Sequence, residues 1–120
     1  MSAKRERIQP EKLHVRKDGD KVLYSQVMVV EVGGTRQIFV AGQTPRDRHG
    51  NCVGKGYMRA QIEQVGQNIK DALEAAGATL ADIVKTTTYV TDMDEYFKHQ
   101  DMRMRYFAQA LPTSTTVQVT

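Results

Sequence analysis

Met58, Ile62, Val65, Ile69, Leu73 and Ala76 recur at spacings of four, three, four, four and three. That rhythm puts all six on one stripe of an α-helix. A helix with one apolar stripe has to lay it against another layer, so the flanking segments decide the fold. Gly77 follows the last apolar residue and suits the left-handed position that closes a helix. Upstream, Val27–Val32 and Gln37–Ala41 have the β-branched, apolar character of strands, and Gly33-Gly34 supplies the positive φ of a tight hairpin turn. The second run is nearly continuous in apolar residues, as in a central strand. Residues 11–32 read as extended, with Leu13 and Val15 alternating with polar neighbours and Asp18-Gly19 as a turn pair. Downstream, Leu80-Ala81-Asp82 leads into the β-branched strand Ile83–Val90.

A second stripe follows: Met93, Phe97, Gln100, Met104, Phe107 and Leu111, at spacings of four, three, four, three and four. It predicts one helix from Met93 to about Leu111, capped by Thr91 or Asp92 and stopped by Pro112. Thr115–Thr120 alternates again, and the β pattern runs uninterrupted to Thr120. The order hairpin, helix, strand, helix, strand specifies an α/β domain: a mixed β-sheet with two helices packed on one face. No helix remains for the other sheet face, so copies of the chain are expected to cover it. The pattern at Thr120 also raises the expectation that the domain's last strand lies beyond it.

Composition narrows the class. The chain has 120 residues, 40% of them hydrophobic and 26% charged, which fits one globular domain. No window approaches the roughly 20 apolar residues of a membrane span, and no apolar h-region follows the charged start. The single cysteine, Cys52, excludes an internal disulfide and any multi-cysteine zinc site. A cytoplasmic location and no membrane partner are expected. The net charge of +3 is concentrated in Lys4, Arg5, Arg7, Lys12, Arg16 and Lys17. Their mixture with acidic residues, and the lack of interleaved aromatics, favours a solvated surface over a nucleic-acid arm.

Spacing alone reveals no catalytic motif. His14, His49 and His99 lack metal-ligand spacing. Asp92, Asp94, Glu95 and Asp101 read as helix caps and a solvated face. Gly50–Gly56 departs from the GxxxxGK[ST] phosphate loop, and Cys52 within it reads as an incidental exposed thiol. Ser25 and Ser114 have no histidine at a spacing that suggests a triad. Gln100 stands out as an amide in an apolar row. It either satisfies itself on a nearby carbonyl or faces a ligand.

Several blocks, in order, carry a resemblance: Tyr24-Ser25-Gln26, Val40–Pro45, Gln64 through Asn68-Ile69, Leu73–Gly77, Ile83–Val90, and Pro112 with Val117-Gln118-Val119. Together they resemble the RidA (YjgF) family of imine/enamine deaminases, over about Tyr24 to Thr120. Residues 1–23 then read as an N-terminal extension containing a strand, and residues 24–120 as a RidA-like domain without its last strand. The resemblance implies a homotrimer of chorismate-mutase-like subunits with small-molecule ligands in the inter-subunit clefts. It implies no metal or cofactor. It also implies hydrolysis of reactive enamines or imines, in which water attacks the imine carbon and ammonia leaves.

Carried over residue by residue, the implied substrate-binding set is Tyr24, Ala41, Gly42, Gln100, Ser114, Thr115 and Thr116. Tyr24 matches the pocket aromatic, Ala41 stands where a serine is common, and Gln100 falls at the family's asparagine. The family's Pro-x-Arg-Ser-Cys/Thr segment aligns with Pro112-Thr113-Ser114-Thr115-Thr116. Ser114 therefore occupies the position of the carboxylate-binding arginine, and a neutral hydroxyl cannot replace a bidentate guanidinium. Arg103, one turn past Gln100, has two placements open to it, reaching into the cleft or lying on a solvated helix face, and the second is the expectation. Two readings stand. One is a deaminase-like hydrolase with weakened 2-imino acid activity, and the other is a catalytically silent ligand-binding or regulatory trimer. An RNA-cleavage or translation-inhibitor role, a label parts of the family carry, is a minor third.

Overall fold

The computed structural model describes residues 2–120, so Met1 lies outside it. The hairpin is as expected. Strand β4 (Val27–Val32) and strand β5 (Thr35–Val40) pair antiparallel in the register Val27↔Val40 to Val32↔Thr35. The Gly33 and Gly34 φ angles of 58° and 82° give the two left-handed positions that a type I′ turn needs. Strand β1 (Lys4–Ile8) pairs with the other edge of β4, setting Lys4 opposite Glu31 and Ile8 opposite Val27. The strand expected around Leu13 and Val15 is instead irregular, and Leu13 plugs the core. Two short strands, β2 (Lys17–Asp18) and β3 (Lys21–Val22), form a separate ribbon around Gly19. The first 23 residues thus give the main sheet an edge strand and give the core one of its members.

Helix α1 (Met58–Ala75) packs on β5 of this sheet and, on another side, against the later helix of the second half. Leu13, Val27, Val29, Ala72 and Ala76 form the buried cluster, and Ile8, Ile38 and Val40 pack around it. The helix ends in a Schellman motif: the Gly77 N–H donates to the Glu74 carbonyl and the Ala78 N–H to that of Leu73. Arg36 donates to the Ala76 carbonyl at 2.9 Å, which ties the helix end to β5.

The second half is built differently. A single 3₁₀ turn at Leu80–Asp82, closed by a Thr79/Asp82 capping box, leads into strand β6 (Lys85–Val90). The expected single second helix is two: α2 (Met93–Phe97) and α3 (Gln100–Phe107), broken at Lys98–His99. Asp92 caps α2 by accepting from the Glu95 N–H at 3.0 Å. Strand β7 (Thr113–Gln118) runs parallel to β6 in the register Lys85↔Thr113 to Val90↔Gln118.

The α/β class and element order match the sequence reading, but the strands fall into three paired groups: β1–β4–β5, β2–β3 and β6–β7. Strands β5 and β6 face each other across a groove of ≈ 850 Å³, also lined by Ile69, Leu73 and Phe107. The Thr86 hydroxyl in β6 is buried without a hydrogen-bond partner. Among the described residues, no helix is long and apolar enough to cross a membrane.

Candidate functional site

Tyr96, Phe97 and Gln100, on either side of the break at Lys98–His99, border a cleft. Glu95 accepts from the His99 imidazole at 3.1 Å and the Lys98 ammonium at 3.2 Å. These two contacts, His99 first, hold the Glu95 carboxyl below the usual carboxylate range. Helix α3 then restarts with Gln100, whose amide donates to the Tyr96 carbonyl at 3.3 Å. The amide thus spans the break between the two helices. Asp101 points to the other side, where Arg59 of α1 forks onto both its oxygens at 2.9 and 2.7 Å. That pairing pulls the Asp101 carboxyl down to about 2.

Gln100, Arg103 and Phe107 share one face of α3, at positions i, i+3 and i+7. Opposite them, Pro112 feeds the chain into β7, where Ser114 and Thr116 lie two residues apart on one strand face. These residues, with Tyr96, Phe97 and Leu111, line a cleft of ≈ 340 Å³, within the size range of small-molecule sites. The Arg103 guanidinium crosses the cleft and donates to the Ser114 hydroxyl at 3.3 Å. It also lies over the Phe107 ring, 5.3 Å from the centroid. Arg103 is therefore not the solvated helix-face residue expected from sequence. It is folded into the cleft, and no carboxylate among the described residues pairs with it.

Within one subunit the seven sequence-derived site residues do not converge. Gln100, Ser114 and Thr116 share the α3–β7 cleft. Ala41 and Gly42 line the β5–β6 groove. Tyr24 and Gly42 border a small cavity of ≈ 40 Å³ beside His14, Gln26 and Asn68. Thr115 lines none of the three, because it alternates to the opposite face of β7 from Ser114 and Thr116. Around the small cavity the side-chain amides are spoken for. Gln43 donates to the Gln26 side chain at 2.8 Å, and Gln26 donates to the His14 carbonyl at 2.8 Å. Of the acidic residues near α2 and α3, Asp92 is the cap and Glu95 and Asp101 are the ion-pair partners already described.

A small α/β domain with a polar cleft between a broken helix and a parallel strand is the class these features define. Residues 20–120 match the sequence profile of the family described as Endoribonuclease L-PSP. A RutC family protein of Pyrococcus abyssi is 40% identical over 96 residues, which are 80% of this chain and 72% of that protein. A 2-iminobutanoate/2-iminopropanoate deaminase of Dermatophagoides farinae is 29% identical over 96 residues, 80% of this chain and 72% of that protein. The crystal structure of RidA from an Antarctic Psychrobacter superposes with a TM-score of 0.76 at 31% identity, covering 95% of this chain and 85% of that one. The chain belongs to this family, that of the RidA (YjgF) proteins.

Proposed function

We propose that the chain is a RidA-like small-molecule hydrolase acting on reactive imine or enamine intermediates. The carrying observation is the α3–β7 cleft, which gathers Gln100, Ser114 and Thr116, three positions matched from the family's site. In the proposed reaction, water adds to the imine carbon, the C–N bond breaks, and ammonia and a carbonyl product leave. The amide and the two hydroxyls are suited to hold and orient water and the polar ends of a substrate. Neither type of group is a strong base at neutral pH, so turnover of simple 2-imino acids is expected to be slow.

The proposed working form is a homotrimer with ligand clefts completed between subunits. This reading is supported by the exposed apolar side chains of the second half, including Val84, Tyr89, Leu111 and Val117. It would also bring residues such as Tyr24 to a neighbour's cleft, since they lie apart within one subunit. The competing reading, a silent ligand-binding trimer, is favoured by the same lack of a strong base in the cleft.

The deciding experiment measures ammonia and 2-oxo acid release from freshly generated 2-aminoacrylate and 2-iminobutanoate, with and without the protein. Release above the spontaneous rate that falls in Gln100→Ala supports the hydrolase. Binding of the 2-oxo acid product without any rate above background supports the silent trimer. Sedimentation should show one species near three subunit masses, and a stable monomer would remove the oligomeric part.

A further inference from the structure

We infer that Arg103 is the anion-binding residue of the cleft: its guanidinium takes the carboxylate of a small, planar 2-oxo or imine-type ligand, and Ser114 positions it. The inference deepens the preceding reading and rests on the α3–β7 cleft being the ligand site. From sequence, the serine at position 114 removes the positive charge expected there. The structure returns a guanidinium to that point from another element. Arg103 comes from α3, one turn past Gln100, and its Nη2 donates to Ser114 Oγ at 3.3 Å. Ser114 is then the hydrogen-bond anchor of a relocated charge. Its side chain is short enough to leave Arg103 room, where a second arginine would repel it.

Three features separate Arg103 from an ordinary surface arginine. Its ring contact with Phe107 and its bond to Ser114 hold the guanidinium at two points, so little further freedom is lost on binding. Among the described residues its one other side-chain hydrogen bond is a long one, 3.8 Å, to the Met104 sulfur, and most of its five N–H donors remain open. It has no carboxylate partner among the described residues, whereas Arg59 on α1 is neutralised by Asp101. A fixed, unpaired planar fork in an aromatic-lined cleft matches a carboxylate geometrically. Phosphate or sulfate could meet the same charge, but the flat wall formed by Phe107 and the small cleft favour a flat, small anion.

The test uses the full chain and two probes of one shape, 2-oxobutanoate and its uncharged primary amide, with affinities read by calorimetry. The wild-type protein should bind the carboxylate at least about tenfold more tightly than the amide. Arg103→Met should erase that preference and leave the amide's affinity within about twofold. Arg103→Lys should keep part of it, as charge without the fork. Ser114→Ala should weaken the carboxylate alone, by a smaller factor. Arg105→Met removes one charge from the exposed side of the same helix and should change nothing, which excludes a general field effect. Equal binding of the two probes by the wild type, or an undiminished preference in Arg103→Met, overturns the assignment. Circular dichroism and melting of each variant show whether a loss comes from unfolding; for a variant that unfolds, the comparison rests on Arg103→Lys and Ser114→Ala. The two readings separate cleanly. Arg103-dependent binding with no imine hydrolysis keeps this inference and sinks the hydrolase. Hydrolysis that is indifferent to Arg103→Met does the reverse.

Discussion

The antiparallel half and the parallel half of this molecule use similar residues to opposite ends. In the first, Val27 is 0% exposed and Val29, Leu13 and Ala72 close around it against α1. In the second, Val84 is 80% and Tyr89 67% exposed, and Val90 is the one strand residue of β6 and β7 that is buried. β-Branched and aromatic residues make strands in both halves, but only one half buries them within its own chain. Strand-forming character and core membership are therefore separate properties. The second half has the first without the second, which is what a surface built for other copies of the chain would show.

The comparison breaks most sharply under charge insertion. Val27→Asp should cost at least about 4 kcal/mol, because an unpaired carboxylate is forced into an apolar core. Val84→Asp should change the stability of the isolated subunit by no more than about 0.5 kcal/mol, while lowering the assembled fraction in sedimentation. Similar melting losses for both would erase the distinction between the halves. A smaller effect probes the seam between α1 and α3. A Cβ on Gly66 would stand 2.4 Å from the Tyr106 ring, so Gly66→Ala should cost about 1–3 kcal/mol. Denaturant midpoints should show most of that loss vanish in a Tyr106→Ala background, since the clash is pairwise.

Smaller again is Asn68→Ala, at about 1–2 kcal/mol. The buried Asn68 amide donates to the Thr44 and Arg46 carbonyls and accepts from Gln64, pinning the loop after β5 to α1. Unchanged thermal unfolding would mean that this loop is held by other contacts. The smallest effect is the exposed Arg59–Asp101 pair. Arginine lowers the folded-state pKa of Asp101 from 3.8 to about 2. Its contribution is therefore complete above the unfolded carboxyl's range and fades as pH falls from about 4 to about 2. Asp101→Asn should lower the urea midpoint slightly at pH 7 and not at all once the carboxyl is protonated, a difference kept small by solvent screening.

What could be read from the sequence follows the same division. The α1 stripe, the Gly33-Gly34 turn and the Gly77 stop were all legible, because each is a local rule obeyed locally. The second stripe had the correct period but the wrong destination. Phe97, Met104 and Leu111 lie on the exposed side, while Tyr96 and Met102, outside the stripe, are buried. Periodicity tells which residues share a face and says nothing of what will cover it. A strand was expected within residues 1–23, but its position at Lys4–Ile8 was not legible, because Lys-Arg-Glu-Arg has no apolar alternation. It is an edge strand, and charge on an edge guards against unwanted pairing. At the site, Gln100 and Ser114 could be singled out from the sequence. Arg103 could be named but not placed, since a helix arginine looks the same in sequence whether it faces water or folds back over Phe107.

The two-residue Gly33-Gly34 turn also bears on the order in which the molecule forms. A hairpin closed over so short a loop assembles on the microsecond scale, and β1, already synthesised ahead of it, can add to its edge. Strands β6 and β7 cannot pair until residues 91–112 between them have been made and folded. Closing that longer crossover carries a larger entropic cost. During synthesis the self-sufficient half is thus available first. The strand that carries Ser114 and the helix that carries Arg103 meet after it, and the cleft forms only once that crossover has closed.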